Sequence, residues 1–241
     1  MLLNRPNFKE ESKRLDTMTK SEIKNFILKN KDCFLDEYFL RFYIKYIYYN
    51  DELLFNKKFK EYNIYPDILV KNKKIIFEYD GPTHYTTNET IIKDYDKDYL
   101  FREKGYKIIR IPFFIEFNEK IIKKYFGEKY IDISSTYKNG FIHPNVVLPT
   151  SFCERGLYRF IDYIENIEDD IKTDIFNSLW QKSIRKKSLL FVISPIMFLK
   201  YADKIKEFIT KIGNEKIKNE LEKDYDKLCF ELKYVNKYTM I

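Results

Sequence analysis

The sequence predicts an α/β fold: a mixed sheet of three antiparallel strands plus a parallel crossover strand, with helices on both faces, followed by a mainly helical C-terminal extension. Three observations carry that expectation. Two short apolar runs, at 68–70 and 75–77, flank the polar link Lys71-Asn72-Lys73-Lys74, the pattern of antiparallel neighbours joined by a tight turn. A helical stretch at 89–104, opened by Asn88 and closed by Gly105, precedes another apolar run at 106–113, and a strand that returns over a helix usually pairs in parallel. From about residue 152 onward, helical patterns dominate.

In chain order, residues 1–16 are polar and read as an arm. Thr19-Lys20-Ser21-Glu22 has the spacing of a capping box and starts a helix through about 29. A second helix, at 34–49, carries Phe34, Leu35, Tyr38, Phe39, Leu40, Phe42, Tyr43 and Ile44, which leave almost no polar face, so it is expected to be buried. Glu37 falls among them and needs a partner. Residues 53–59 make a first strand, completing a meander with the two strands of the hairpin. Side chains alternate along a strand, so Ile76, Glu78 and Asp80 share one face and Ile75, Phe77 and Tyr79 the other. One face is expected to bury and the other to carry charge. Beyond the crossover strand, 118–126 reads as a helix ending at Gly127, and 128–149 as strand and loop. Ser151-Phe152-Cys153-Glu154 reads as a second capping box, followed by helices at 152–164, 169–187, 195–212 and 215–235; residues 189–193 suit a short buried strand or part of a helix. The chain is expected to divide into residues 1–127, a core with an N-terminal helical arm, and residues 128–241, the extension.

Composition bounds the function. At 241 residues the chain can bury one large core or two small ones, and a hydrophobic fraction of 44%, with 21 Tyr and 21 Phe, argues against disorder. With 44 Lys plus Arg against 37 Asp plus Glu, the net charge of +7 favours polyanionic partners. Cys33, Cys153 and Cys229 are scattered and form no C-x-x-C pair, which suits reduced thiols rather than a disulfide framework or a zinc site. The N-terminus has charge where a signal peptide needs an apolar stretch, and the apolar run at 188–199 is too short to span a bilayer and is broken by Pro195. A cytoplasmic protein with no membrane partner is expected.

Chemistry concentrates between residues 65 and 84, Y-P-D-I-L-V-K-N-K-K-I-I-F-E-Y-D-G-P-T-H. With the hairpin in register, Asp67 lies beside Glu78, and Asp80 follows on the same face as Glu78. Carboxylates gathered away from water repel one another, and a hard divalent cation relieves that repulsion; carboxylate oxygens, water and phosphate are the ligands that Mg2+ prefers. The plainer alternative makes Asp67 a strand start, Glu78 a solvated strand residue and Asp80-Gly81-Pro82 a turn.

Pro66-Asp67, ten intervening residues and then Glu78-Tyr79-Asp80 resembles the PD-(D/E)XK nuclease superfamily. The longer run E-Y-D-G-P-T-H, followed by D-x-x-K and then G-Y-K-I-I-R-I-P, is similar to the branch related to very-short-patch-repair endonucleases, and to the RAP domain, which carries a G-P-x-H element of the same kind. The likeness spans about residues 37–112. It departs from the superfamily pattern at Asp80, where a catalytic Lys is usual.

The resemblance implies a restriction-endonuclease-like core and a set of roles. Glu37, Asp67, Glu78 and Asp80 would hold Mg2+, and Asp67, Glu78, Asp80, His84 and Lys97 would be catalytic. Lys97 shares a helix face with Asp94 and Phe101, and its ammonium would replace the missing strand Lys; the alternative is a solvated helix. His84 would orient water, contact phosphate or transfer a proton, against a turn histidine bonded to a carbonyl. His143 has no such context and reads as structural. Lys182, Arg185, Lys186 and Lys187, just after Trp180, suit a phosphate backbone or simply a solvated helix end, and Lys57, Lys58 and Lys60 are comparable candidates. The expected activity is Mg2+-dependent hydrolysis of double-stranded DNA by a type II restriction endonuclease, with the extension reading bases or forming a homodimer. The alternatives are a repair or transposition-type nickase of the same fold, a RAP-like RNA-binding or RNA-processing protein, and a catalytically inactive binding or structural protein.

Overall fold

Local signals account for where most helices begin. The computed structural model describes residues 6–30, 33, 36–59, 64–134, 141 and 146–238, with side chains through 232. Asn7 caps α1 (Phe8–Ser12), and Thr19 and Glu22 form the expected reciprocal capping box on α2 (Lys20–Lys29). The Asp36 side chain accepts from the Phe39 amide at 2.7 Å and starts α3 (Glu37–Ile47); Phe34 and Leu35 lie outside the described residues. Phe39, Leu40, Phe42, Tyr43 and Ile44 are fully buried, with Phe8 stacked on Phe39 at 4.6 Å and Phe26 on Phe42 at 4.1 Å.

The meander follows. β1 (Leu53–Phe55) is shorter than expected because Asn56 turns to a positive φ of 46°, and Phe59 makes only an isolated bridge to Ile64. β2 (Ile68–Val70) is joined to β3 (Ile75–Asp80) through a 3-10 turn that ends with Lys74 in the left-handed region, φ 53°. After a single helical turn, α4 (Thr83–Thr86), α5 (Asn88–Glu103) leads through Gly105, φ 75°, into β4 (Lys107–Pro112). The sheet order is β1-β2-β3-β4; the first two pairings are antiparallel and β3 pairs with β4 in parallel, Glu78 opposite Arg110. The predicted mixed α/β sheet is therefore present. Leu69 and Ile76 pack under Phe101 of α5, while on the opposite face Phe77 meets Tyr48, the residue after α3, and Phe126 of α6 (Glu119–Phe126) at ring distances of 5.8 and 5.7 Å. Helices thus cover both faces, and the face that carries charge is buried rather than solvated: Glu78 and Asp80 are 2% and 1% exposed beneath α5.

The chain forms two compact units, Met1–His84 with Glu89–Gly140, and Tyr85–Asn88 with Phe141–Ile241. The first unit extends past 127 because the 3-10 stretch Glu128–Ile133 is fastened to it: Asp132 takes bonds from Lys24 at 2.6 Å and Tyr46 at 3.0 Å, and Tyr130 donates to the Ile47 carbonyl at 2.9 Å.

In the second unit, α7 (Glu154–Glu165) is not opened by Ser151. Pro149 draws Ser151 into a 3-10 turn, and Cys153 takes the cap position with its N–H donating to the Tyr85 carbonyl at 3.0 Å. α8 (Asp169–Lys186) stops where Lys187 turns left-handed, φ 53°. Residues 189–193 are neither strand nor helix. The Asp224 carboxylate, on α10 (Glu215–Tyr238), holds them by accepting from Ser188 Oγ at 2.5 Å and from the amides of Leu189 and Leu190 at 2.8 and 3.3 Å. Ser194 caps α9 (Pro195–Thr210). No helix among the described residues is long and apolar enough to cross a membrane.

Gly156 is required by contact: a Cβ there would lie 1.8 Å from the Tyr85 carbonyl oxygen. Gly156→Ala is expected to cost about 3 kcal/mol, the upper part of the overpacking range, measured by urea unfolding followed through the fluorescence of Trp180.

Candidate metal centre

The strand register builds the site. Ile68 pairs with Phe77, so Asp67, one residue earlier, comes beside Glu78, and its Oδ2 accepts from the Tyr79 amide at 2.7 Å. Glu78 points toward α5, where Lys97 donates to its Oε2 at 2.6 Å and to the Tyr65 carbonyl at 2.8 Å. Its other oxygen, Oε1, is buried and has no hydrogen-bond partner among the described residues. Glu37 lies near enough for its charge to act on Asp67, but Arg41 pairs with its Oε1 and Asn56 donates to the same oxygen at 3.0 Å.

Electrostatics follow from this burial. Loss of water, then the neighbouring Asp67 charge, push the Glu78 carboxyl up to about 8 against the opposing pull of Lys97 and Arg110. Asp67 is also raised, chiefly by burial, although the Tyr79 amide favours its charged form. Two carboxylates thus share one ammonium, and one buried oxygen has no donor. Carboxylate oxygens in that state are the ligand set of a hard divalent cation such as Mg2+, so Asp67 and Glu78 suit one.

Asp80 joins a different group. Arg110 Nη1 lies 2.5 Å from Asp80 Oδ1, and Nη2 lies 2.6 Å from Asp98 Oδ1 and 3.4 Å from Asp94 Oδ1. His84 Nδ1 lies 2.6 Å from Asp94 Oδ2 and 3.6 Å from Asp80 Oδ1. Asp80, His84 and Asp94 bring one ligand atom each within 4.8 Å of one another, but a guanidinium already occupies this group of acids. The acids in turn hold the Arg110 pKa above its usual value despite burial, which opposes them.

Of the residues singled out from the sequence, Asp67, Glu78 and Lys97 come together with Glu37 close by, while Asp80 and His84 belong to the adjoining Arg110 group. Arg110 and Asp98 escaped the sequence reading; the signal was present in Asp98 four residues after Asp94 and in the parallel register that faces Arg110 toward α5. The basic candidates divide as well. Lys57, Lys58, Arg185, Lys186 and Lys187 are exposed, whereas Lys182 is 4% exposed on the inward face of α8, and burial lowers its pKa. Lys182 is therefore withdrawn from any phosphate backbone. Lys60 and His143 lie outside the described residues.

Two expectations follow. The native Glu78 carboxyl titrates near 8 and the unfolded one near 4.5, so the native state binds the extra proton between those values, and stability without added metal falls as pH rises from about 5 to about 8.5, by a few kcal/mol. Urea unfolding across that range should show the slope in the wild type and a flatter one in Glu78→Gln. Arg110→Met leaves Asp80, Asp94 and Asp98 without their cation and should cost about 3–5 kcal/mol in the same assay.

No protein-family model, no curated protein and no solved structure matches this chain in sequence or fold comparisons.

Proposed function

We propose that this chain is a Mg2+-dependent endodeoxyribonuclease with a restriction-endonuclease-like core, cutting duplex DNA as a type II restriction endonuclease. The observation that carries this reading is Glu78: a buried carboxylate with one oxygen on Lys97, the other without a donor, and Asp67 alongside. DNA as the substrate is supported by the net charge of +7 and by the resemblance of the 66–112 motifs to PD-(D/E)XK nucleases.

Asp67 and Glu78 would hold the ion, with Glu37 contributing charge nearby. Mg2+ bound there supplies polarisation of the scissile phosphate and a lowered pKa for the attacking water. Lys97 keeps Glu78 turned by holding Oε2, and its ammonium would stabilise charge that develops on the phosphate oxygens. Asp94 fixes the His84 ring through Nδ1, and His84 is assigned the proton transfer. Asp80 acts through Arg110 as a positioning residue rather than as a ligand. Cutting both strands of a symmetric site would take two copies of the chain.

The test is incubation of mixed duplex DNA with Mg2+. Paired cuts at one recurrent sequence are expected, abolished in Asp67→Ala and Glu78→Ala while Ca2+-supported DNA binding persists. Lys97→Met should slow cleavage about a hundredfold with a smaller change in affinity. Cleavage by either alanine variant at the wild-type rate overturns the assignment. Single-strand nicks would favour the repair-type reading, and preference for single-stranded RNA without cleavage the RAP-like one.

A further inference from the structure

Within the second unit, α8 and α9 border a cleft of about 310 Å3 that nothing above employs. Its wall is a run of near-parallel rings. Phe176 stacks on Trp180 at 5.4 Å and 21°, and Trp180 on Phe208 at 4.8 Å and 11°. At these separations the rings are offset; Phe176 is 5% exposed, so the open part of the wall is the partly exposed Trp180 and Phe208. The wall is braced from behind: Tyr201 meets Phe176 edge-on at 5.0 Å, and its hydroxyl donates to Glu165 Oε1 at 2.8 Å.

The rim carries Lys204, Glu207 and Lys211, two cations to one acid. Lys204 Nζ lies 5.7 Å from the Phe176 ring centre, and its charge also acts on Glu207 without a close ion pair among the described residues. Glu207 is bonded instead by Lys211 at 2.6 Å, which leaves the Lys204 ammonium the more open of the two. Asn177, also lining the cleft, offers an amide that can both donate and accept.

An aromatic wall, an amide and the Lys204 ammonium match a planar heterocycle that carries an anion. Aliphatic chains would leave the amide and ammonium unmatched, and a simple anion would leave the rings unused. The volume lies at the lower end of small-molecule sites, about 300 Å3, which suits one nucleotide rather than a larger ligand. We propose that the α8–α9 cleft binds a nucleobase against the Trp180–Phe208 part of this wall, with its phosphate at Lys204. Base–aromatic stacking needs no particular sequence, so the site takes a free nucleotide or an unpaired base of a strand by the same chemistry. The inference stands on this cleft alone and does not rest on the nuclease reading.

Trp180 is the chain's single tryptophan, so intrinsic fluorescence reports from inside the cleft. Titrations in EDTA on an Asp67→Ala background, with thymidine monophosphate, an oligothymidylate of about eight nucleotides and inorganic phosphate, keep the result separate from cleavage. Saturable quenching by a thymine-bearing probe and none by phosphate is expected. Lys204→Ala should weaken binding about fivefold and reduce its salt dependence, and Lys204→Arg should restore it. Phe208→Ala should weaken binding about tenfold. Tighter binding of the oligothymidylate identifies a strand as the source, and equal affinity a free nucleotide; both uphold the site. Absence of saturable quenching, equal quenching by phosphate alone, or an affinity that Lys204→Ala leaves unchanged overturns it.

Discussion

A carboxylate held out of water on the central strand is the constraint that organises the first unit. Glu78 sits on β3 with sheet on either side and α5 above, and it keeps one bond to Lys97. A buried charge is tolerated when opposite charge and donors surround it; here the donors reach only one of the two oxygens, and Asp67 adds a second negative charge. Nearby acids are better provided for. Glu37 has Arg41 and Asn56, and Asp80, Asp94 and Asp98 close around Arg110. The deficit is thus local to Asp67 and Glu78, and a cation there would remove it.

α5 makes this arrangement possible by carrying charge on its inward stripe as well as its outward side. Ile91, Asp94, Asp98 and Phe101 are its buried positions, with Lys97 beside them, while Ile92, Tyr95 and Tyr99 are 43%, 58% and 64% exposed. The inward stripe thus sets two acids between apolar ends, and the outward side mixes Ile92, Tyr95 and Tyr99 with the exposed charges of Glu89, Lys93, Asp96, Arg102 and Glu103. Its ends differ from its middle: Ile91 and Phe101 are apolar anchors, and Phe101 joins Leu69 and Ile76 in the core. Between them the charged turn meets Glu78, Asp80 and Arg110, so helix and sheet are matched in charge where the site lies and in apolar surface beyond it.

This inward charge explains which parts were legible in the sequence. The hairpin was readable because apolar runs and a lysine-rich turn encode it locally, and the register that brings Asp67 to Glu78 follows from the turn. The Thr19 capping box was equally local. The burial of α5 was not readable, because a charged inward stripe looks like solvent exposure until its partners on the sheet are known. Lys182 failed for a related reason: it continues the inward series Ile171, Ile175, Ser178 and Leu179 on α8, and its membership of a basic run concealed that periodicity. Ser151 failed because Pro149 set up a competing turn, and the 189–193 run because its order comes from Asp224, more than thirty residues away. Distant partners of this kind leave no mark in a local pattern.

If the chain is a PD-(D/E)XK nuclease, as we propose, Asp80 stands where that pattern usually has lysine, and the charges around it suit an acid. Arg110, one strand over, sends its guanidinium to within 2.5 Å of Asp80. A lysine at 80 would face that guanidinium, and two like charges at about 4 Å repel by about 4 kcal/mol at an effective dielectric of about 20. With an acid at 80 the strand position binds Arg110, Arg110 gathers Asp94 and Asp98 from α5, and the helix is fixed with Lys97 turned onto Glu78. Asp80 thus helps, through Arg110, to hold the helix that carries the Lys97 ammonium to Glu78.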